Sequence, residues 1–517
     1  MRTRGPDRRR VAGPAPVLVL AALTAGCAGL FGGGGDGLSG WNESLRTALA
    51  TGRHERALAL VGADSARAGD ELLRLQHEGL VAHYAGRWEQ SSEALERAFA
   101  MAEDRYTKSV SRALLSMITS DRVLPYDPPH PERLLLHYYG ALNYLRRDEP
   151  DEAAVEARRL GHRLQRSLDG EIGETPPALG RALSRFAGAV FEAAGQANDA
   201  AVAYRRARAF AERAGKGAVE RAEEDSTVAR AAADGPVAAA DPAAEPPGWQ
   251  GRDKAAGGGP PDGSGGGEDE ARRTGEVLVV VERGFVAHRE QRDLTLFLFP
   301  DEVRRLRRVR HRTRRDGDDA DMDAALEVAR RVAGRTFGGS RSFTSHGRRA
   351  RDRNDDGDPI LVRIAWPELR ETSRPSGTVR LRVDGDAVAG RPAVRADLSG
   401  AVREAYRGRR VLDLAKTLLR AVTKEAVADA LEEAVSGEDE TLGEVVGWTA
   451  RIAGALLERA DTRSWHLLPA TLELHRVRLP AGTHRLEAVL PGGPDAGIGT
   501  VEMAPGEVRI VTVRAWR

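Results

Sequence analysis

A short phrase that recurs along the first 214 residues constrains the fold of this chain more than any other feature. Gly52-Arg-His-Glu-Arg-Ala57 returns after 34 residues as Gly86-Arg-Trp-Glu-Gln-Ser91, and Gly195-Gln-Ala-Asn-Asp-Ala200 is a further copy. Asp148-Glu-Pro-Asp-Glu-Ala153 is a variant with aspartate in place of glycine. Self-similarity at a period of about 20–50 residues is typical of stacked supersecondary units. The sequence therefore predicts four irregular helical repeats across residues 41–214.

The second repeat carries the most complete pattern. Gly79 stands where the first helix of a pair needs a small residue, Gly86 makes the turn, and Trp88 fills an aromatic position. The second helix is lined at helical spacing by Ser91, Leu95 and Ala98. This 34-residue pattern resembles the tetratricopeptide repeat, which implies an all-α superhelix whose concave face binds segments of other proteins. Later steps of 62 and 47 residues break the period, and a proline-rich loop at 125–131 accounts for the first break.

The N-terminus is typical of an export signal. Five arginines lie within residues 1–10, a short apolar segment follows at 17–23, and Thr24-Ala-Gly-Cys27 closes it. The apolar segment is shorter than the ~20 residues that a membrane-spanning helix needs. Cys27 is the only cysteine, which excludes an internal disulfide framework and any site built from several thiolates.

Small residues directly before a cysteine resemble the lipobox of bacterial lipoproteins. The resemblance implies a signal peptide at 1–26, a diacylglycerol on the sulfur of Cys27, and a glycine-rich tether at 27–40. Ala28, rather than aspartate, follows the cysteine, and similarity to the sorting rule of diderm bacteria then implies the periplasmic face of the outer membrane. The alternative is an ordinary signal peptide with a chance cysteine.

A change of composition divides the chain after the repeats. Residues 215–274 are rich in alanine, glycine and proline and are predicted to form a disordered linker. Beyond it, apolar runs predict strands at 276–281, 294–299, 360–366, 378–383, 471–479, 484–490, 500–503 and 507–513. Two or three helices are expected across 399–461. The fold class is thus α+β and multidomain: residues 275–517 form a β-rich α+β domain with a polar insert at 301–358 and a β-sandwich-like meander at its end.

Two segments contain candidate partner-binding residues. The helix at 134–145 holds three of the eight tyrosines, and its candidates are His137, Tyr138, Tyr139 and Asn143. The alternative is that Tyr138 belongs to the core and His137 is a satisfied polar residue. In the second segment, Asp461-Thr-Arg-Ser-Trp465, the candidates are Arg463 and Trp465. The alternative there is a structural pair between Asp461 and Arg463.

Three blocks of sequence carry a wider resemblance. They cover residues 135–159, 423–426 and 460–469, and the Asp461–Trp465 motif is the most specific of them. Together they are similar to a conserved family of uncharacterised envelope lipoproteins with an N-terminal tetratricopeptide region. The resemblance implies the location and the architecture of this chain, and it carries no catalytic residue over.

Sequence features typical of nucleic-acid, calcium and zinc binding are absent or incomplete. The 78 basic and 77 acidic residues nearly cancel, which argues against a dedicated nucleic-acid binder. Residues 352–358 begin like a calcium loop, but Arg363 stands where the last carboxylate ligand belongs. The helix at His77 lacks a second histidine one turn on, because that position is Val81. The sequence therefore predicts no catalytic residue, no metal, no cofactor and no small-molecule substrate.

The arginine-rich run at 304–315 is the strongest charge feature and is followed by five aspartates. It is either a contact for anionic lipid or glycan, or a flexible insert neutralised by its own acidic half.

These observations lead to one functional prediction and one alternative. The predicted protein is a non-enzymatic lipoprotein, anchored in the outer membrane, whose helical repeats bind periplasmic proteins as a scaffold. Envelope or cell-wall assembly is the process that such a scaffold would serve. The alternative is a peptidoglycan- or glycan-binding module in which Trp366 or Trp465 stacks on sugar.

Overall fold

The fold is that of a computed structural model, which describes residues 36–63, 70–107, 125–225, 274–313, 319–337, 360–388, 394–436, 460–492 and 496–516. Helices dominate up to residue 225 and mixed sheets with three helices follow, so the predicted α+β class is confirmed. The signal peptide, Cys27, the calcium-like loop at 352–358 and most of the linker lie outside the described residues.

Within the described residues, eight helices precede the first strand. They are α1 (Asp36–Ala50), α2 (His54–Ala63), α3 (Glu71–Tyr84), α4 (Trp88–Thr107), α5 (His130–Arg146), α6 (Pro150–Leu168), α7 (Pro177–Ala193) and α8 (Ala197–Asp225). The first helix begins five residues before the predicted boundary at 41, and α8 extends eleven residues past the predicted boundary at 214.

The recurring phrase encodes the turn inside each helix pair. Gly52, Gly86 and Gly195 have φ of 70°, 74° and 71°, and Asp148 takes the same left-handed conformation with φ of 61°. Glycine is the usual residue after a helix C-terminus for this reason, and aspartate tolerates the conformation better than most residues do. The four phrases therefore mark the ends of α1, α3, α5 and α7, as predicted.

Close approach between the helices of a pair depends on small residues. A Cβ atom placed on Gly79 would lie 2.6 Å from Leu95 Cδ2, and the hydroxyl of Ser91 donates to the Gly79 carbonyl at 2.6 Å. In α7, a Cβ atom on Gly188 would lie 2.4 Å from the Tyr204 ring of α8. The glycines therefore let neighbouring helices pack backbone against side chain.

Gly188→Ala is expected to destabilise the protein by about 1–3 kcal/mol, because the added methyl overlaps the Tyr204 ring in a close-packed core. The matched control is Gly408→Ala, in an exposed part of a later helix where nothing lies within 4 Å. That control should stabilise by about 0.5–1 kcal/mol through helix propensity alone. Urea unfolding of both variants measures the difference, and equal effects would contradict the packing argument.

The C-terminal region holds ten strands within the described residues. They are β1 (Thr274–Arg283), β2 (His288–Leu298), β3 (Ile360–Arg370), β4 (Arg380–Val383), β5 (Asp386–Ala387), β6 (Val394–Asp397), β7 (Thr471–Pro480), β8 (Gly482–Val489), β9 (Ala496–Met503) and β10 (Val508–Ala515). Sheet A has the order β10-β1-β7-β6, sheet B pairs β2 with β3, and sheet C has the order β5-β4-β8-β9. The first and last strands, β1 and β10, pair in parallel.

Sheet A lies between the helical array and sheet C. Leu278 and Val280 of β1 join a core with the helices α1–α8, whereas Val277, Val279 and Val281 join a second core with sheet C. A strand covered on both faces reads as an uninterrupted apolar run, which explains the sequence of β1. The helical array and the C-terminal region therefore share one continuous core.

The segment predicted as a polar insert contains two helices. These are α9 (Pro300–Thr313) and α10 (Asp319–Phe337), which pack with α11 (Leu398–Ser436) on sheet B. Leu306 and Val328 are fully buried, while arginines such as Arg304 and Arg308 stay exposed. Within residues 304–309, the described part of the arginine-rich run, the arginines lie on the solvated side of an amphipathic helix, whose apolar positions recur every three residues.

Candidate functional site

Glu282 is the centre of a buried hydrogen-bond cluster between the helices and sheet A. It lies near the end of β1, on the face turned toward the helices, and is 1% exposed. The hydroxyl of Tyr84, at the end of α3, donates to its Oε2 at 2.7 Å. The hydroxyls of Tyr138 and Tyr139, both in α5, donate to its Oε1 at 3.0 and 2.9 Å. These four residues form the Glu282–tyrosine cluster.

Electrostatics keep the three phenols protonated. Burial, and next the Glu282 carboxylate, raise the pKa of Tyr84, Tyr138 and Tyr139 well above the usual range of tyrosine. The guanidinium of Arg514 lies 5.6 Å from the centre of the Tyr84 ring. The cluster is therefore a set of protonated phenol donors around a single carboxylate acceptor.

The remaining candidates of α5 bond to other helices. Asn143 Oδ1 lies 2.6 Å from His83 Nδ1, and Asn143 Nδ2 donates to the Ser91 hydroxyl at 2.8 Å. His137 Nδ1 lies 2.7 Å from Glu156 Oε2 of α6. Burial lowers the pKa of His137 although Glu156 opposes the shift. These contacts hold α3, α4, α5 and α6 together.

The motif Asp461–Trp465 lies between the helices and the C-terminal region. Arg463 Nε donates to Asp461 Oδ1 at 2.7 Å, and its Nη2 donates to Asp461 Oδ2 at 3.1 Å. Its Nη1 lies 3.8 Å from Asp70 Oδ2, and Asp70 also caps α3 by accepting from the Leu72 amide. The predicted structural pair of Asp461 and Arg463 is confirmed, and it fastens the motif to the start of α3.

Glu132 of α5 accepts one hydrogen bond from the Asp461–Trp465 motif and one from the helical side. The Trp465 amide donates to Oε1 at 3.2 Å, and the Tyr126 hydroxyl donates to Oε2 at 2.6 Å. Burial raises the pKa of Glu132 to about 7, because these donors offset only part of the cost of removing the charge from water. Glu132 is therefore a carboxyl that titrates close to neutral pH.

Three buried histidines lie close together where the helices, the segment after Trp465 and sheet B meet. We call His77 of α3, His288 of β2 and His466 the histidine seam. The rings of His77 and His466 are 4.6 Å apart, and those of His288 and His466 are 6.3 Å apart. Neither ring nitrogen of His77 or His466 has a hydrogen-bond partner among the described residues.

Protonation of the histidine seam is unfavourable. Burial lowers the pKa of His77 to about 3 and that of His288 to about 4, and it lowers that of His466 well below the usual range. Arg46 adds to the effect, since its Nη1 lies 3.1 Å from His288 Nε2. All three rings are therefore neutral at pH 7.

The six predicted partner-binding residues are internal. Their exposed fractions are 1% for His137, 1% for Tyr138, 0% for Tyr139, 0% for Asn143, 4% for Arg463 and 0% for Trp465. The inner face of the helical array is occupied by the chain's own sheet A, to which Tyr138 and Tyr139 donate hydrogen bonds through Glu282. The other candidates bond residues of the helices or of their own motif. The interpretation of the six residues as a partner surface is corrected to an intramolecular contact for this conformation.

Sequence reasoning missed Glu282, Glu132 and His288. The only signal for Glu282 was a charged pair, Glu282-Arg283, at the end of an apolar strand. Arg283 points to the opposite face and pairs with buried Glu473 at 3.0 Å. Adjacent side chains of a strand point to opposite faces of the sheet. Two adjacent charges at the end of a strand that is buried on both faces therefore indicate one buried polar contact on each face.

The outer side of the array contains a cavity that is open to solvent. This cavity, of about 480 Å³, lies between α6 and α8. We call it the Arg206 groove, and it is lined by Gln165, Leu168, Val202, Arg205, Arg206, Ala209, Glu212 and Arg213. In the part of the chain that the structure describes, no helix is long and apolar enough to cross a membrane. No group of three histidine, cysteine or acidic residues in that part has the arrangement of a metal site.

Comparisons with models of protein families, with curated proteins and with solved structures give no match for this chain.

Proposed function

We propose that this protein is an outer-membrane-anchored periplasmic lipoprotein that binds other envelope proteins as a scaffold, without catalysis. In this proposal Cys27 carries the lipid, the eight helices form a tetratricopeptide-like superhelix, and sheets A and C form a β-sandwich-like unit. The partner binds the outer side of the helical array, because the inner side is filled by sheet A.

The filled inner face is the observation that carries this proposal. Helices and sheet A share one core, and the Glu282–tyrosine cluster closes it with hydrogen bonds of 2.7–3.0 Å. A rigid unit of this kind presents fixed surfaces to a partner. The outer helices offer apolar contact points, since Val155 of α6 and Val202 of α8 are each 43% exposed.

The glycan-binding alternative is not favoured. Its two stacking residues, Trp366 and Trp465, are 2% and 0% exposed, so neither ring face is open to a sugar in this conformation. A protein partner on the outer helical side needs neither of them.

Cys27→Ser is expected to abolish lipid attachment and release the protein from the membrane fraction, because the sulfur is the attachment atom. Several acyl chains, at ~0.8 kcal/mol per buried methylene, make the natural anchor stable. Radiolabelled palmitate followed by fractionation measures both effects. Label in the serine variant would contradict the anchor, and a variant of exposed Arg56 serves as the control for expression.

The scaffold itself is tested by photo-crosslinking in cells. A photoreactive residue at position 155 or 202 is expected to give discrete crosslinked products, identified by mass spectrometry. The comparison site is Phe297 of sheet B, which is 50% exposed and lies away from the helical array. Products from position 297 alone would contradict the outer helical side as the partner surface.

A further inference from the structure

Arg206 of α8 is a partly buried cation that has no hydrogen-bond or ionic partner among the described residues. Among the described residues no carboxylate pairs with it, and its Nε is buried without an acceptor. Burial lowers the pKa of the Arg206 guanidinium below that of an exposed arginine, and no acidic group opposes this shift. Buried charges in proteins are ordinarily paired, because removing a charge from water without compensation is costly. An unpaired one requires an explanation.

The backbone of α6 makes room for this guanidinium. A Cβ atom on Gly161 would lie 2.8 Å from Arg206 Nη1, so glycine at this position lets the guanidinium lie close against the helix. Arg213 is held differently, since its Nη2 donates to the Leu168 carbonyl at the end of α6 at 2.7 Å. Arg206 is thus positioned at the wall of the groove but not neutralised there.

The rest of the Arg206 groove determines the chemistry of a ligand. Three arginines face one glutamate, Glu212, which leaves an excess of positive charge. Apolar surface from Leu168, Val202 and Ala209 adjoins the arginines, and no aromatic residue lines the groove. Its volume, about 480 Å³, falls in the range of about 300–1,000 Å³ that is usual for ligand sites.

We propose that the Arg206 groove binds an acidic peptide segment of the partner protein, with a carboxylate on Arg206 and an apolar side chain against Val202. This inference rests on the proposed scaffold function and names its partner class. Guanidinium groups bind carboxylates through two parallel hydrogen bonds, which a lone ammonium does not offer. A bare phosphate would leave the apolar wall uncovered, whereas an acidic segment with aliphatic residues covers both parts.

The test uses the mature full-length chain and two synthetic peptides of alternating glutamate and leucine or of alternating glutamine and leucine. Fluorescence anisotropy is expected to detect binding of the glutamate peptide only, with weakening at high salt. Arg206→Gln should weaken that binding about tenfold or more, as expected for a charge-assisted bidentate pair. The matched control is Arg208→Gln, an exposed residue of α8 outside the groove.

Stability gives a second, independent measurement. Arg206→Met removes an unpaired desolvated charge, so it should raise the melting temperature of the free protein while abolishing peptide binding. An arginine with a purely structural role would show the reverse, with loss of stability. Such a loss, or equal weakening by the Arg206 and Arg208 variants, would overturn the proposal.

Further outcomes separate this inference from the scaffold function. Inorganic phosphate and anionic vesicles are added as competitors of the bound glutamate peptide. If either displaces the peptide as well as unlabelled peptide does, the groove binds anions in general and the peptide assignment is overturned. Crosslinked partners at positions 155 and 202 that persist in Arg206→Gln would overturn the groove while leaving the scaffold function intact.

Discussion

Between pH 6.5 and pH 4 the free energy of unfolding is expected to fall steeply, because the histidine seam has to remain neutral in the folded state. The unfolded chain binds protons at the ordinary histidine pKa of 6.5, whereas folded His77 and His288 do so only near 3 and 4. Stability is therefore fully present above pH 6.5 and is lost as the pH falls toward the folded values. Each histidine contributes a slope of about 1.4 kcal/mol per pH unit.

Glu132 acts in the opposite direction over part of this range. Its folded pKa of about 7 lies above its ordinary value of 4.5, so the folded state holds a proton that the unfolded state has released. This contribution is present below pH 4.5 and is lost as the pH rises toward 7. The three histidines of the seam, opposed by one glutamate, contribute a net slope of about 3 kcal/mol per pH unit between pH 6.5 and 4.5. His130 and His475, whose pKa burial lowers to about 4, add to the slope in the same direction.

Urea unfolding at several pH values between 7.5 and 4.5 measures this slope. His77→Phe, which keeps an aromatic ring without a titrating group, should flatten it by about 1.4 kcal/mol per pH unit, and Glu132→Gln should steepen it by a similar amount. The control is His484→Gln. The hydrogen bond with Asp384 raises the pKa of His484 and does not lower it, so this substitution should not flatten the slope. If wild type and His77→Phe have the same slope, the histidine seam does not control acid stability.

Local features of the fold could be predicted because they depend on neighbouring residues. The left-handed turns at Gly52, Gly86 and Gly195 follow from glycine within a repeated phrase, and the strand β1 follows from an apolar run. The repeat pattern predicts that Gly79 packs closely against the partner helix, and its close approach to Leu95 confirms this. In each case a few adjacent residues carry the physical cause.

The tertiary contacts of the candidate site could not be predicted in the same way. Tyr84 and Glu282, which share a hydrogen bond, are 198 residues apart, and Trp465 and Glu132 are 333 residues apart. A single sequence contains no periodic signal for such pairings. In the sequence, the tyrosines of α5 have the pattern that an exposed aromatic surface would also have. Only their hydrogen bonds with Glu282 of β1 show that they form a buried contact instead.

The arginine-rich run illustrates a related difficulty. Its many arginines dominated the composition and favoured a polar insert, whereas Val303, Leu306 and Val309 form the buried side of α9. Three apolar residues at spacing three are sufficient for a helix to pack when a partner surface is available. Here sheet B and α11 supply that surface from a distant part of the chain.

Glu282→Leu is expected to destabilise the protein by about 2–5 kcal/mol, since it removes the carboxylate acceptor of three tyrosine hydroxyls. The Tyr84 and Tyr139 hydroxyls, 3.1 Å apart, can still bond each other, so two donors are left without an acceptor at a cost of about 1–3 kcal/mol each. Glu282→Gln retains an acceptor oxygen of similar reach and should cost less. Urea unfolding followed by fluorescence measures both variants. Equal losses for leucine and glutamine would show that the hydrogen bonds of the Glu282–tyrosine cluster contribute little.

The decisive comparison removes the donors together with the acceptor. Glu282→Leu combined with Tyr84→Phe, Tyr138→Phe and Tyr139→Phe should recover most of the stability, because replacing both sides of a buried hydrogen bond by apolar groups is nearly neutral. The double-mutant logic isolates the cluster from general packing, since every ring is kept. Recovery would establish that the acceptor on β1 and the donors on α3 and α5 act as one unit across the contact. In the absence of recovery, the loss in Glu282→Leu would have to come from the packing of β1 itself, and the helical array and sheet A would be joined by their apolar core alone.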